Sequence, residues 1–164
     1  MRYARILFCL FLVLSLSLAS CGGQDPVAAE RLSDLLSTLP SLPAGTCYDS
    51  ATRDFMEGAP LTDELIEALY AREDGACEYA AHVREAAVYL SSVREPYLEL
   101  AVFVCYGSAD TAAVFEMCHR RARLVASLGV AATADAMVSV SGRVVTFCLT
   151  SDPEAVRAAL SPYI

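Results

Sequence analysis

The side chains best suited to nucleophilic or metal chemistry are Cys47, Cys77, Cys105, Cys118 and Cys148, together with the only two histidines, His82 and His119. Cys118 and His119 are adjacent. On a helix their side chains point about 100° apart, so they cannot form a dyad with each other. A thiolate–imidazole pair would have to join two elements, Cys77 with His119 or Cys118 with His82. The simpler assignment is a surface histidine and a buried thiol. The spacings between the five cysteines are 30, 28, 13 and 30 residues. They contain no C-x-x-C, which disfavours a thioredoxin-like redox site. No close ligand pair seeds a zinc site either, so neither a metal nor another cofactor is expected. Cys105, Cys118 and Cys148 fall on apolar faces, where free cysteine behaves as a small hydrophobe. Cys47 and Cys77 read as loop residues on either side of a helix and are the candidate disulfide.

Acids gather at Asp63-Glu64-Glu67 and at Glu73-Asp74. Paired carboxylates can run glycoside hydrolysis. Three acids in the first turns of a helix more often complement its dipole and face solvent. All twelve basic residues are arginine. Without lysine there is no phosphate-loop lysine, no Ser-x-x-Lys pair and no Schiff-base amine. No G-x-S-x-G, H-E-x-x-H or calcium-loop pattern occurs.

A further cysteine lies in Leu18-Ala19-Ser20-Cys21-Gly22-Gly23. Arg2 and Arg5 open the chain, and residues 6–19 form an apolar run of fourteen broken only by Ser15 and Ser17. A membrane-spanning helix needs about 20 residues, so this run fits the core of a signal peptide ending in small residues. The segment resembles the lipobox of bacterial lipoprotein leaders. That resemblance implies cleavage before Cys21, diacylglycerol on its thiol and often a third chain on its amine. Two or more acyl chains make a stable anchor. Residues 1–20 are then the leader, 21–25 the tether and 26–164 a single domain. Removing the leader leaves 144 residues and moves the formal charge from −8 to −10. Such a domain is large enough for one core and repels nucleic acid and anionic surfaces.

The elements that must position these residues follow from periodicity and punctuation. Asp25-Pro26 reads as the start of a helix carrying Ala28, Leu32, Leu35, Leu36 and Leu39 on one face, ended by Pro40 and Pro43. Residues 44–60 are weakly patterned. Thr62 caps a second helix, with Leu61 and Ile66 at the hydrophobic-staple positions and Asp74-Gly75 as its stop. A strand is expected at 86–90. The run 97–106 is apolar on both faces and predicts a central, doubly covered strand. Ser108 or Asp110 opens a long helix to about Leu128, with Val114, Phe115, Cys118, Ala122, Val125 and Leu128 inward, a Glu116–Arg120 pair outward and Gly129 as the stop. Residues 137–140 and 144–149 flank a Ser141-Gly142 turn, and Ser151-Asp152-Pro153 opens a last helix. The expected fold is a single α+β domain in the order α-α-β-β-α-β-β-α. Its sheet is four-stranded and mostly antiparallel, with the helices segregated on one face.

Four stretches then carry a family resemblance: Leu-Thr-Asp-Glu-Leu-Ile-Glu-Ala-Leu-Tyr at 61–70, Glu-Leu-Ala-Val-Phe at 99–103, the V-x-V-x-G-x-V-V-x-F hairpin, and Ser-Asp-Pro-Glu at 151–154. Behind a lipobox leader, they resemble clostridial-type lipoproteins with the domain of unknown function numbered 4358, over roughly 55–162. The resemblance implies a lipid-anchored domain on the outer face of the cell membrane of a Gram-positive-type cell. It assigns no reaction and no catalytic residue. The expectation is a non-enzymatic binding or interaction module, held at the membrane by acyl chains and partnering an envelope protein. A small envelope-directed hydrolase using acidic residues is the alternative. Cys21→Ser should leave uncleaved precursor or release the protein; unchanged mass and membrane fractionation would contradict the leader assignment.

Overall fold

The apolar run at 97–106 becomes a strand buried along its whole length, and the other elements assemble on its two faces and edges. The computed structural model describes residues 28–51, 59–132 and 135–163. In chain order it contains α1 (Ala28–Thr38), β1 (Gly45–Asp49), β2 (Ala59–Pro60), α2 (Asp63–Tyr70), the one-turn α3 (Tyr79–His82), β3 (Val83–Ser91), β4 (Leu98–Cys105), a 3₁₀ turn (Ser108–Asp110), α4 (Thr111–Ser127), β5 (Met137–Ser141), β6 (Val144–Thr150) and α5 (Pro153–Leu160). The strand order across the sheet is β2-β1-β3-β4-β6-β5.

The α+β class holds, but the sheet has six strands instead of four, and it is mixed because β1 pairs β2 in parallel. The two added strands come from the weakly patterned 44–60 stretch. β1 is short and mostly exposed, so it has no alternation to read. Its pairing with β3 fixes it, Cys47 opposite Tyr89 and Tyr48 opposite Val88. β2 is a two-residue edge containing Pro60, a residue that ends pairing on its outer side.

The helices also lie on both faces, not one. Because side chains alternate along a strand, β4 sends Ala101, Phe103 and Cys105 to one side and Leu98, Leu100, Val102 and Val104 to the other. The first side meets α2 and α4 through Ile66, Leu69, Tyr70, Val114, Met117, Cys118, Ala122 and Val125. The second meets α1 and α5 through Ala28, Leu32, Leu35, Val156 and Leu160. Fully burying each large apolar side chain is worth about 1.5–3 kcal/mol, so the doubly covered strand concentrates much of the folding energy.

Local signals hold in part. The Thr62 hydroxyl accepts from the Leu65 amide at 3.3 Å, and Leu61 and Ile66 are both buried. Gly129, at φ 68, lies just beyond α4. On α4, however, Met117 is buried and Phe115 meets His119 edge-on one turn along, while Leu128, just past the helix, is 60% exposed. Asp110 caps the Gly107 amide at 2.8 Å in the turn before α4, not α4 itself. Arg120 ignores Glu116 and pairs with Glu78.

Gly45 shows how tightly the β1 edge is seated. A Cβ there would lie 2.4 Å from the Leu90 carbonyl oxygen and 2.6 Å from the Tyr89 ring. That ring lies over Gly45, and its hydroxyl donates to the Pro43 carbonyl. Gly45→Ala should therefore cost about 1–3 kcal/mol by overpacking, read as a lower denaturation midpoint; an unchanged midpoint would show that the edge can shift freely.

Candidate functional site

Glu99 sits near the start of β4, on the face that carries Ala101 and Phe103, and none of its surface is exposed. A carboxylate removed from water must be paired and hydrogen-bonded. Three residues do this. Arg121, from α4, places Nε 3.2 Å from Oε1 and 2.9 Å from Oε2, with Nη2 2.8 Å from Oε2. Tyr70, the last residue of α2, donates its hydroxyl to Oε1 at 3.1 Å. Tyr97, just before β4, donates to Oε2 at 2.6 Å. Both carboxylate oxygens are thus engaged, and one side chain of the sheet is tied to two helices and a loop.

The environment fixes the protonation states. Burial, then the Glu99 charge, holds the Tyr70 hydroxyl well above the usual tyrosine range, and the same two causes raise Tyr97. Burial works against the Arg121 charge, but the Glu99 carboxylate more than offsets it and keeps the guanidinium ionised. Tyr70 is positioned further by Phe103, whose ring meets it edge-on at 5.4 Å.

Beside this cluster an open groove of about 730 Å³ lies between the C-terminal ends of α2 and α4. Tyr70 and Arg121 line it from below, Leu69 and Leu124 add apolar surface, and Arg72, Arg120 and Arg123 line it with Arg121. Arg72 and Arg120 share Glu78 as counter-ion, while Arg123 is exposed and has no carboxylate partner among the described residues. The Arg120 Nε is buried without a hydrogen-bond partner. Glu73 and Asp74 also line the groove, so its charge is mixed.

The candidates from the sequence are scattered. Cys21 lies outside the described residues. Cys47 and Cys77 are free thiols, and the bridge between them is not formed. Cys47 is not in a loop; it lies on β1 opposite Tyr89, on the α1 face, whereas Cys77 packs on the α2–α4 face. The sheet separates them. Burial raises the Cys47 and Cys77 thiols, pushes Cys105 up to about 11 and Cys148 to about 12, and raises Cys118 well above its usual value. Burial thus disfavours the thiolate form at each. His82 Nδ1 sits 2.9 Å from Asp110 Oδ1, and His119 meets the Phe115 ring edge-on. Asp63, Glu64 and Glu67 are exposed on α2. The Asp74 Oδ1 accepts from the Ala76 amide at 3.1 Å and stands 3.5 Å from Arg72 Nε. Among the described residues no group of three or more His, Cys, Asp or Glu could hold a metal ion.

The residues overlooked in the sequence are Glu99 and Arg121. The signal was present: a single acid inside an otherwise apolar, doubly buried strand demands a counter-charge. Comparison of the chain with models of known families, with characterised proteins and with solved structures finds no match.

Breaking a buried pair from one side leaves an uncompensated charge. Arg121→Met should therefore cost about 3–5 kcal/mol. Adding Glu99→Gln to it should restore part of that stability, because an amide needs no counter-charge. Additive losses in chemical denaturation would contradict a charge-based lock. The pH dependence has a definite sign. Tyr70, Tyr97 and the buried thiols have folded pKa values above their unfolded ones, so their contribution is whole below the unfolded values and is lost as pH rises through the folded ones. Stability should begin to fall near pH 9 through the thiols and more steeply above about pH 10 through the tyrosines. Tyr70→Phe should flatten the second phase; an unchanged slope would exclude Tyr70 as its source.

Proposed function

We propose that this chain is a lipid-anchored, extracytoplasmic binding module, tethered through acyl chains on Cys21, that receives a protein partner of the cell envelope in the groove between α2 and α4. The groove is the observation that carries this reading. It is open, it combines apolar walls with arginines, and its floor is pinned by the Glu99 cluster. Exposed arginine beside apolar surface is the composition that interaction hot spots favour. The leader supports the location, and so does the likeness to lipoproteins carrying the domain of unknown function numbered 4358, a likeness that itself names no reaction.

Acid hydrolysis fits the same groove less well. Both oxygens of Glu99 are committed to Tyr70, Tyr97 and Arg121. Asp74 is tied to Arg72 and the Ala76 amide on an exposed turn, so it too is engaged within the protein.

An affinity capture of the Cys21-anchored protein from intact cells tests the proposal. The groove variant Arg123→Glu with Leu124→Asp alters two exposed positions, so its stability should stay within about 0.5 kcal/mol of the parent. It should lose the captured partner. Retention of that partner by the variant, or nothing recovered above an anchor-only control, would contradict the groove as the binding surface.

A further inference from the structure

The first described residue sits at one end of the sheet and the groove lies toward the other. The Ala28 amide, at the start of α1, donates to the Glu85 carboxylate on β3 at 2.6 Å. Glu85 pairs with Val104, one residue from the end of β4. The same end carries the β5–β6 turn, because the Cys105 amide donates to the Arg143 carbonyl at 2.8 Å, and it carries Tyr106, whose amide donates to the His82 carbonyl at 3.1 Å. From there β4 runs back toward Leu98, and Glu99, Tyr97 and Arg121 mark the opposite end.

Chain length turns this layout into an orientation. Seven residue steps separate Cys21 from Ala28, a reach of at most about 24 Å however the chain runs. The seven steps of β4 from Leu98 to Cys105 already span about 23 Å. Bringing the Leu98 end to an acyl-anchored Cys21 would need the tether drawn taut along the whole sheet. Bringing the Tyr106 end there needs no such extension.

We infer that the end of the sheet formed by Tyr106, the Gly142-Arg143 turn and the start of α1 faces the lipid headgroup layer, and that the arginine-lined groove opens away from the bilayer. The inference rests on the lipid-anchor reading and deepens it by naming the surface that meets the membrane. Tyr106 is 57% exposed and Val140, beside the turn, 47%. A tyrosine ring with a polar tip suits the headgroup layer. Electrostatics does not set this orientation. Arg84, Arg143 and His82 at this end are accompanied by Asp49, Asp63, Glu85 and Asp110, and without the leader the chain carries a formal charge of −10, that is 10 arginines against 20 acids. The tether sets the geometry, so the orientation is independent of anionic lipid and of salt.

The chain has no tryptophan, so a single introduced indole reports its own position. The lipidated protein carrying Tyr106→Trp or Val93→Trp is reconstituted into phosphatidylcholine vesicles that contain a dansyl-headgroup lipid. Val93 is exposed in the β3–β4 connection at the far end. Energy transfer should be several-fold stronger from Tyr106→Trp than from Val93→Trp, with no change at high salt. Val140→Trp and Leu124→Trp provide a second near and far pair should either first variant fold poorly. Equal transfer from the two ends in vesicle-bound protein, or the reverse order, overturns the orientation alone. Protein of authentic mature mass that does not float with the vesicles overturns the lipid-anchor reading on which it rests.

Discussion

The burial of one carboxylate constrains much of this structure. Glu99 is placed by strand alternation on the inner face of a strand covered from both sides, where an unpaired charge would cost more than the fold has to spare. Arg121 must therefore come from α4, and the Tyr70 and Tyr97 hydroxyls must complete the shell. Satisfying that one group fixes how far α4 approaches the sheet and where α2 ends. The groove lies beside this tie, with Tyr70 and Arg121 themselves in its lining.

The physical reason to retain such a pair is positional. An apolar set of similar volume would fill the same space at comparable or better stability. It would not specify which turn of α4 faces the end of α2. With Arg121 held by Glu99, its neighbours along α4, Arg120, Arg123 and Leu124, are delivered to the groove in a set arrangement. The same contacts that organise the core thus present the proposed binding surface.

Much of this was legible in the sequence, in proportion to how local the signal was. The Thr62 cap, the Leu61–Ile66 staple, the Gly129 stop and the Gly142 hairpin turn are written in a few neighbouring residues. The doubly covered strand was legible from its continuous apolar run. β1 and β2 were not, because an exposed five-residue strand and a two-residue edge have no periodicity and are defined only by their partners. The assignment of helices to both faces was implicit in that same doubly covered strand and was missed by treating the helices as one layer. Cys47 and Cys77 stand unbridged on opposite faces of the sheet, a placement that sequence proximity to α2 does not reveal. Glu99 is the instructive residue at the site, since a charge among buried apolar neighbours was itself the clue to Arg121.

Whether the α2–α4 groove is the surface this protein presents to a partner is tested most directly by site-specific photo-crosslinking in intact cells. A photoreactive residue is placed at Leu124, on the groove, and separately at Leu42, which is similarly exposed in the segment between α1 and β1. The account predicts a discrete, higher-mass adduct from position 124 and none from position 42. An adduct from position 42 with none from position 124 would contradict it.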